Sequence, residues 1–155
     1  TISLRLATTY GPGRDQGLTS APTTAIKAAV LGVPFRLPYQ GREHFHYVDD
    51  VGAGFSLAAI DPFEGCRAFN LRGQTVATEL FVEKIRGACD AAGINDPGVG
   101  IAPEATSMPF VCDLDDSETV VAFPRMPLTS LEDGLAESIR RFQAMAADGT
   151  LEITR

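Results

Sequence analysis

Chemistry first suggests itself in the run His44-Phe45-His46-Tyr47-Val48-Asp49-Asp50. Two adjacent carboxylates could serve as acid and base, and histidines two apart share a strand face and could hold a metal. Both readings have simpler rivals. Phe45, Tyr47 and Val48 have strand character, while Val51, Phe55, Ala58 and Ala59 recur at helical spacing. An aspartate at such a junction caps the helix, so Asp50 is expected as the cap and Asp49 as support for the turn. A catalytic dyad needs opposed carboxyls flanking a substrate, not neighbours in one cap. No third ligand lies near the histidines, which are expected to pack or hydrogen-bond as a pair. Arg14, after a Gly-rich turn, is either solvated or placed to clamp an anionic substrate. Arg36 and Lys27 read as surface charges, Arg125 as a lobe-closing or a solvated residue, and Asp115-x-Ser117 as a helix start.

The chain around these residues has 155 residues and is 45% hydrophobic, enough for one sizeable core or most of one. With 20 Asp+Glu against 13 Lys+Arg, its formal charge is -7, and no Lys/Arg block is present, which argues against a nucleic-acid partner. No apolar run reaches the roughly eighteen residues of a membrane span, and no signal-peptide pattern opens the chain, so no membrane partner is expected. Cys66, Cys89 and Cys112 are odd in number and outside any CxxC, as expected of reduced thiols in a cytoplasm and not of metal ligands.

The elements that must position these residues can be read in order. Residues 2–8 alternate as a strand from the outset, with no hairpin partner following, so the chain is expected to be a piece of a larger sheet. Ser20 is expected to cap a helix with Pro22 in its first turn, Ile26, Ala29 and Val30 inside, and Gly32 at its end. Strands 35–38 and 44–48, a helix over 50–60 and a strand in 67–73 follow. Thr78 is expected to cap a helix burying Phe81, Ile85, Ala88, Cys89 and Ala92. Residues 94–112, rich in Pro and Gly, read as mostly irregular. A brief helical turn precedes Thr129-x-x-Glu132, a capping-box spacing, and a last helix with Leu131, Leu135, Ile139 and Phe142 inside. There is no internal repeat.

In order and spacing, "LRLATTYGPG" (4–13), "LGVPF" (31–35), "HFHYVDDVGAG" (44–54), "AFNLRGQTVATELFVEKI" (68–85), "LDDSE" (114–118) and "PLTSLEDGLAESIRRF" (127–142) resemble the C-terminal half of the extended short-chain dehydrogenase/reductases, the NAD-dependent epimerase/dehydratases. The resemblance implies an α/β fold: a single substrate-binding lobe over 1–155, plus edge strands 2–8 and 67–71 of an incomplete Rossmann sheet, with the N-terminal dinucleotide-binding part missing. It implies a sugar or sugar-nucleotide epimerase/dehydratase using NAD or NADP, a small-molecule substrate and a homodimer when full length. Leu6, Ala7 and Thr8 would lie by the nicotinamide, and Thr8, Arg14, Phe35, Arg36, Arg42, Glu43 and Phe45 by the substrate. The family's chemistry sits in a Gly-rich turn and a Tyr-x-x-x-Lys pair. Neither occurs here: Tyr10, Tyr39 and Tyr47 are followed four residues on by Arg14, Glu43 and Val51. This chain alone is therefore expected to be inactive.

Two departures bear on the substrate. Glu43 stands where the family has an arginine for a diphosphate, and residues 102–110 contain no base but do contain Glu104. A carboxylate facing a phosphate is repulsive by roughly 1–4 kcal/mol, depending on hydration. A smaller hydroxy compound or sugar acid, taken by a dehydrogenase, is the alternative substrate class, and a non-catalytic small-molecule binding module is the alternative of another kind.

Overall fold

Ile2 and Leu4 alternate with Ser3 and Arg5 in strand β1 (Ile2–Arg5) of the computed structural model, which describes residues 1–17, 19–109 and 113–153. The strand expected over 2–8 breaks at Leu6-Ala7. Its remainder is β2 (Thr8–Tyr10), which belongs to another sheet. Helix α1 (Ala21–Val30) follows, with Pro22 in its first turn and Gly32 at φ 66° just past its end. Ser20 makes no side-chain cap; its carbonyl accepts from the Thr24 amide at 3.0 Å and its amide donates to the Gly17 carbonyl at 3.1 Å.

Strands β3 (Phe35–Gln40) and β4 (Arg42–Tyr47) lead into α2 (Val48–Ile60), and β5 (Arg67–Asn70) and β6 (Gln74–Ala77) lead into α3 (Thr78–Ala91). The remaining elements are β7 (Val99–Ser107), α4 (Ser117–Ala122) and α5 (Leu131–Ala147). Three small sheets result: β1 beside β5, β2-β4-β6, and β3 beside β7. The parallel pairing expected between the first strand and residues 67–71 holds for β1 and β5, with Ile2 opposite Arg67 and Arg5 opposite Asn70. β6 was not expected; it runs antiparallel to β4, with Phe45 opposite Gln74.

The supposedly irregular stretch 94–112 contains the nine-residue β7. It pairs in parallel with β3 through Leu37–Ile101, then slips so that Tyr39 faces Thr106. Pro103 falls inside the slip, where a missing N–H costs no ladder bond, and the Gln40 amide donates to the Ala105 carbonyl at 2.9 Å. Residues 110–112, which include Cys112, lie outside the described residues.

Helices α1, α3 and α5 pack with β2, β3 and β4 around the larger core, where Tyr10, Phe45, Phe81, Leu135 and Phe142 are almost wholly buried. The expected inner stripes of α3 and α5 face this core, except that Ala92, expected inside, is exposed at the C-terminal cap of α3. Helix α2 differs. Its expected stripe is exposed or half-buried, Phe55 at 48%, and its buried residues are Asp50 and Gly54. Leu71 explains this: a Cβ at Gly54 would stand 2.8 Å from Leu71 Cδ1, so the helix meets the residue just past β5 along its glycine side. A smaller core of Phe69, Leu71, Phe123 and Met126 lies there. Among the described residues, no helix is long and apolar enough to cross a membrane.

The two described cysteines differ in a way thiol labelling can read. Cys66 is exposed, whereas Cys89 is buried in α3 and burial pushes its thiol up to about 11. Under native conditions at neutral pH, Cys66 is expected to react with iodoacetamide and Cys89 only after denaturation. Modification of Cys89 in the native chain at the rate of Cys66 would contradict this packing.

Candidate functional site

Strand β4 sends alternate side chains to opposite faces, and this period organises the site. Phe45 and Tyr47 enter the larger core, where Phe45 stacks on Phe81 at 4.1 Å between centroids and Tyr10 packs edge-on to both. Glu43 shares that face and is fully buried. The Thr8 hydroxyl on β2 donates to Glu43 Oε2 at 2.7 Å. Thr8, Glu43 and Phe45 are thus brought together, as Thr8 also lies opposite Phe45 in the sheet. In this chain all three are covered by protein.

The remaining residues with an expected role disperse. Leu6 is 40% exposed at the break between β1 and β2, and the Ala7 amide beside it donates to His46 Nε2 at 3.0 Å. Arg14 turns back onto its own loop, donating to Thr19 Oγ1 at 2.9 Å. Phe35 is half-buried against the larger core, and Arg36, exposed on β3, lies over Gly100. Arg42 is exposed and 3.7 Å from Asp113. Lys27, expected at the surface, is instead buried in α1 at 6% exposure, 2.5 Å from Asp15 and donating to the Glu152 carbonyl. Arg125 pairs with Asp61 at 2.6 Å.

The paired aspartates have separate tasks, and neither is a cap. The cap position of α2 is Tyr47, without a side-chain bond. Asp50, in the first turn, is buried and accepts from the Thr129 amide at 2.6 Å and hydroxyl at 2.8 Å. Asp49 faces solvent and pairs with Arg141 of α5 at 2.5 Å. Burial, followed by the Asp49 charge, pushes the Tyr47 phenol up to about 12. Two other expected caps also move by tertiary demand. Thr78 donates its hydroxyl to the Gly41 carbonyl, leaving Ala77 at the α3 cap. The box of α5 is Ser130 with Asp133, one residue along from the expected Thr129, because Thr129 is taken by Asp50.

His44 and His46 form the packed pair expected of them, edge to face with rings 4.9 Å apart and both buried, each hydrogen-bonded to other groups. Among the described residues no group of three or more His, Cys, Asp or Glu is placed to hold a metal. An open cleft of about 380 Å³ lies between β1 and α2, lined by Ile2, Leu4, Phe55, Ala58, Phe63 and the polar Asp61 among others, and another of about 440 Å³ lies between α3 and α5. Ile60, at the end of α2, is 76% exposed. Spacing alone could not reveal the first of these clefts, because it exists only where β1 and α2 come together.

No protein-family model and no curated protein sequence matches the chain. Solved structures do. A partial-consensus L-threonine 3-dehydrogenase superposes with a TM-score of 0.72 at 16% identity, covering 92% of this chain and 48% of that one. The UDP-glucose 4-epimerase of Thermotoga maritima, solved with UDP-glucose, gives 0.69 at 21% identity, over 94% and 46%. The Bordetella bronchiseptica enzyme WbmF, in complex with NAD+ and UDP, gives 0.69 at 22% identity, over 96% and 46%. The chain spans about half the length of the structures it matches, and it has the α/β fold of that half.

Proposed function

We propose that this chain is the substrate-binding part of an NAD(P)-dependent epimerase/dehydratase acting on a sugar or sugar nucleotide. The observation that carries the reading is the superposition on epimerases, a dehydratase and related enzymes, most of them solved with NAD, over nearly the whole chain but only 44–48% of theirs. β1 and β5 support it: they pair in parallel, and among the described strands β1 has no second neighbour. In this reading they border a nucleotide-binding sheet, and the cleft between β1 and α2 meets the remainder of the protein.

The residues fit one edge of a dinucleotide. Leu6 offers exposed apolar surface, while the Ala7 amide and Thr8 hydroxyl are already engaged with His46 and Glu43. They can wall a flat ring but not cradle a pyrophosphate, which needs free N–H groups at a helix start. A bound nicotinamide would supply the hydride acceptor, and Leu6 and Ala7 would position it from one side, with the buried Thr8 supporting them from behind. Arg14, Phe35, Arg36 and Arg42 are the proposed substrate contacts, with Glu43 and Phe45 supporting from behind.

A second reading, a dehydrogenase of a small hydroxy compound, is favoured by the likeness to an L-threonine 3-dehydrogenase and by a carboxylate, Glu43, where the resemblance calls for an arginine. One experiment separates the readings. The protein including whatever is encoded ahead of Thr1 is expected to contain a Gly-rich βαβ turn and Tyr-x-x-x-Lys, and to bind NAD where the 155-residue chain does not. Titration with UDP in the presence of NAD then discriminates the substrate: saturable binding lost in Arg14→Ala supports a sugar nucleotide, and none supports the smaller compound. A start codon directly before Thr1, or a longer protein indifferent to NAD, would leave a binding module instead.

A further inference from the structure

The sheet β1-β5 and the sheet β2-β4-β6 share no ladder, yet the chain crosses directly between them at two short segments, Leu6-Ala7 and Leu71–Gly73, and once more through α2. The His46 imidazole stands between the two short crossings. Its Nε2 accepts the Ala7 amide at 3.0 Å, and its Nδ1 donates to the Arg72 carbonyl at 2.8 Å. These two partners define one neutral tautomer. His44 completes the arrangement, its Nδ1 2.7 Å from the Thr75 hydroxyl and its Nε2 3.4 Å from the Leu71 carbonyl. A Cβ at Gly73 would stand 2.6 Å from His44 Nε2 and 2.7 Å from His46 Nδ1, so the second short crossing lies directly on both rings.

We propose that His46 is a positioning residue that joins the two sheets through its neutral imidazole, and that acid uncouples them by turning its Nε2 from acceptor into donor. An imidazolium would place an N–H against the Ala7 N–H and a charge beside the His44 ring, 4.9 Å away between centroids. The charged groups facing the pair do not prevent this geometry. Asp113 and Asp116, ahead of α4, and Asp50 of α2 favour protonation, while Arg72 is directed to the Met126 carbonyl and lies 3.9 Å from Asp116. Burial outweighs these carboxylates, lowering His44 and holding His46 down at about 4. The unfolded chain takes up these protons near pH 6.5, so the stabilisation is complete above about pH 6.5 and is lost as pH falls toward 4.

An NMR titration of the 15N-labelled chain from pH 7.5 to 3 tests this without cofactor or substrate, so its outcome is separate from that of the functional reading. Expected are an Nδ1–H tautomer for His46 at neutral pH, a midpoint well below 6.5, and Ala7 and Gly73 amide resonances that move with that midpoint. Below it, Ala7 amide exchange should be at least about tenfold faster than in His46→Gln at the same pH, since glutamine can accept from Ala7 without titrating. If His46→Gln fails to fold, the wild-type titration decides alone. An Ala7 amide that stays fixed through the His46 titration, an Nε2–H tautomer, or a midpoint near 6.5 would overturn the proposal.

Discussion

Replacing Asp50 with alanine is expected to cost about 3 kcal/mol, from two charge-assisted hydrogen bonds and an orphaned amide. For a chain of this length that is about 6–12 °C in melting temperature. Both bonds reach Thr129, immediately before the α5 cap Ser130, so the carboxylate ties the start of one helix to the start of another. Thr129→Val removes only the hydroxyl donor and should cost about 1 kcal/mol. Asp49→Ala should cost less than about 1 kcal/mol, because its pair with Arg141 is solvent-exposed and screened. Thermal denaturation of the three variants reads the ranking directly, and amide exchange at Thr129 localises it. Equal effects for Asp49→Ala and Asp50→Ala would mean that the buried carboxylate does not hold α5.

Gly134→Ala is expected to destabilise by about 2 kcal/mol, although alanine is the better helix former. A Cβ there would fall 2.2 Å from Tyr10 Oη and 3.2 Å from Tyr47 Cδ2. Tyr10 cannot move aside, since Phe45, Tyr47 and Phe81 enclose its ring. The glycine lets α5 approach β2 and β4. Gly87→Ala, in the exposed middle of α3 with nothing within 4 Å of the new Cβ, should instead stabilise by about 0.5–1 kcal/mol. Urea unfolding distinguishes the two signs. Adding Tyr10→Phe to Gly134→Ala removes the closest atom and should recover part of the loss. A neutral or stabilising Gly134→Ala would show that the aromatic cluster is looser than its geometry.

Local pattern was enough for the helices whose apolar residues repeat every three or four positions. α3 and α5 carry such stripes, and Phe81, Ile85, Leu135 and Phe142 are buried as the spacing requires. Gly32 ends α1 because it reaches a positive φ without steric cost. The order of the motifs carried the α/β class and the parallel relation of β1 to β5. The packing of the two histidines side by side was also legible, since alternate strand residues share a face.

Partner choice was not local, and there the tertiary structure decided. A short polar side chain bonds whichever donor or acceptor the fold presents. Asp50 therefore holds Thr129, Thr78 bonds Gly41, and the α5 box falls on Ser130 and Asp133 instead of Thr129 and Glu132. β7 was obscured by its Pro and Gly, because a parallel strand draws its ladder from a distant partner and tolerates a proline where the register slips. The turned face of α2 depends on Leu71 meeting Gly54, and the burial of Glu43 on Thr8 reaching it from another strand. The sequence by itself determined the helices and the earlier strands in their order, because those follow from periodicity and backbone preference, though not β6 or β7. Which polar groups pair, which face of α2 is covered and where the cleft opens arise from contacts between residues far apart in the chain, and only the assembled fold supplies them.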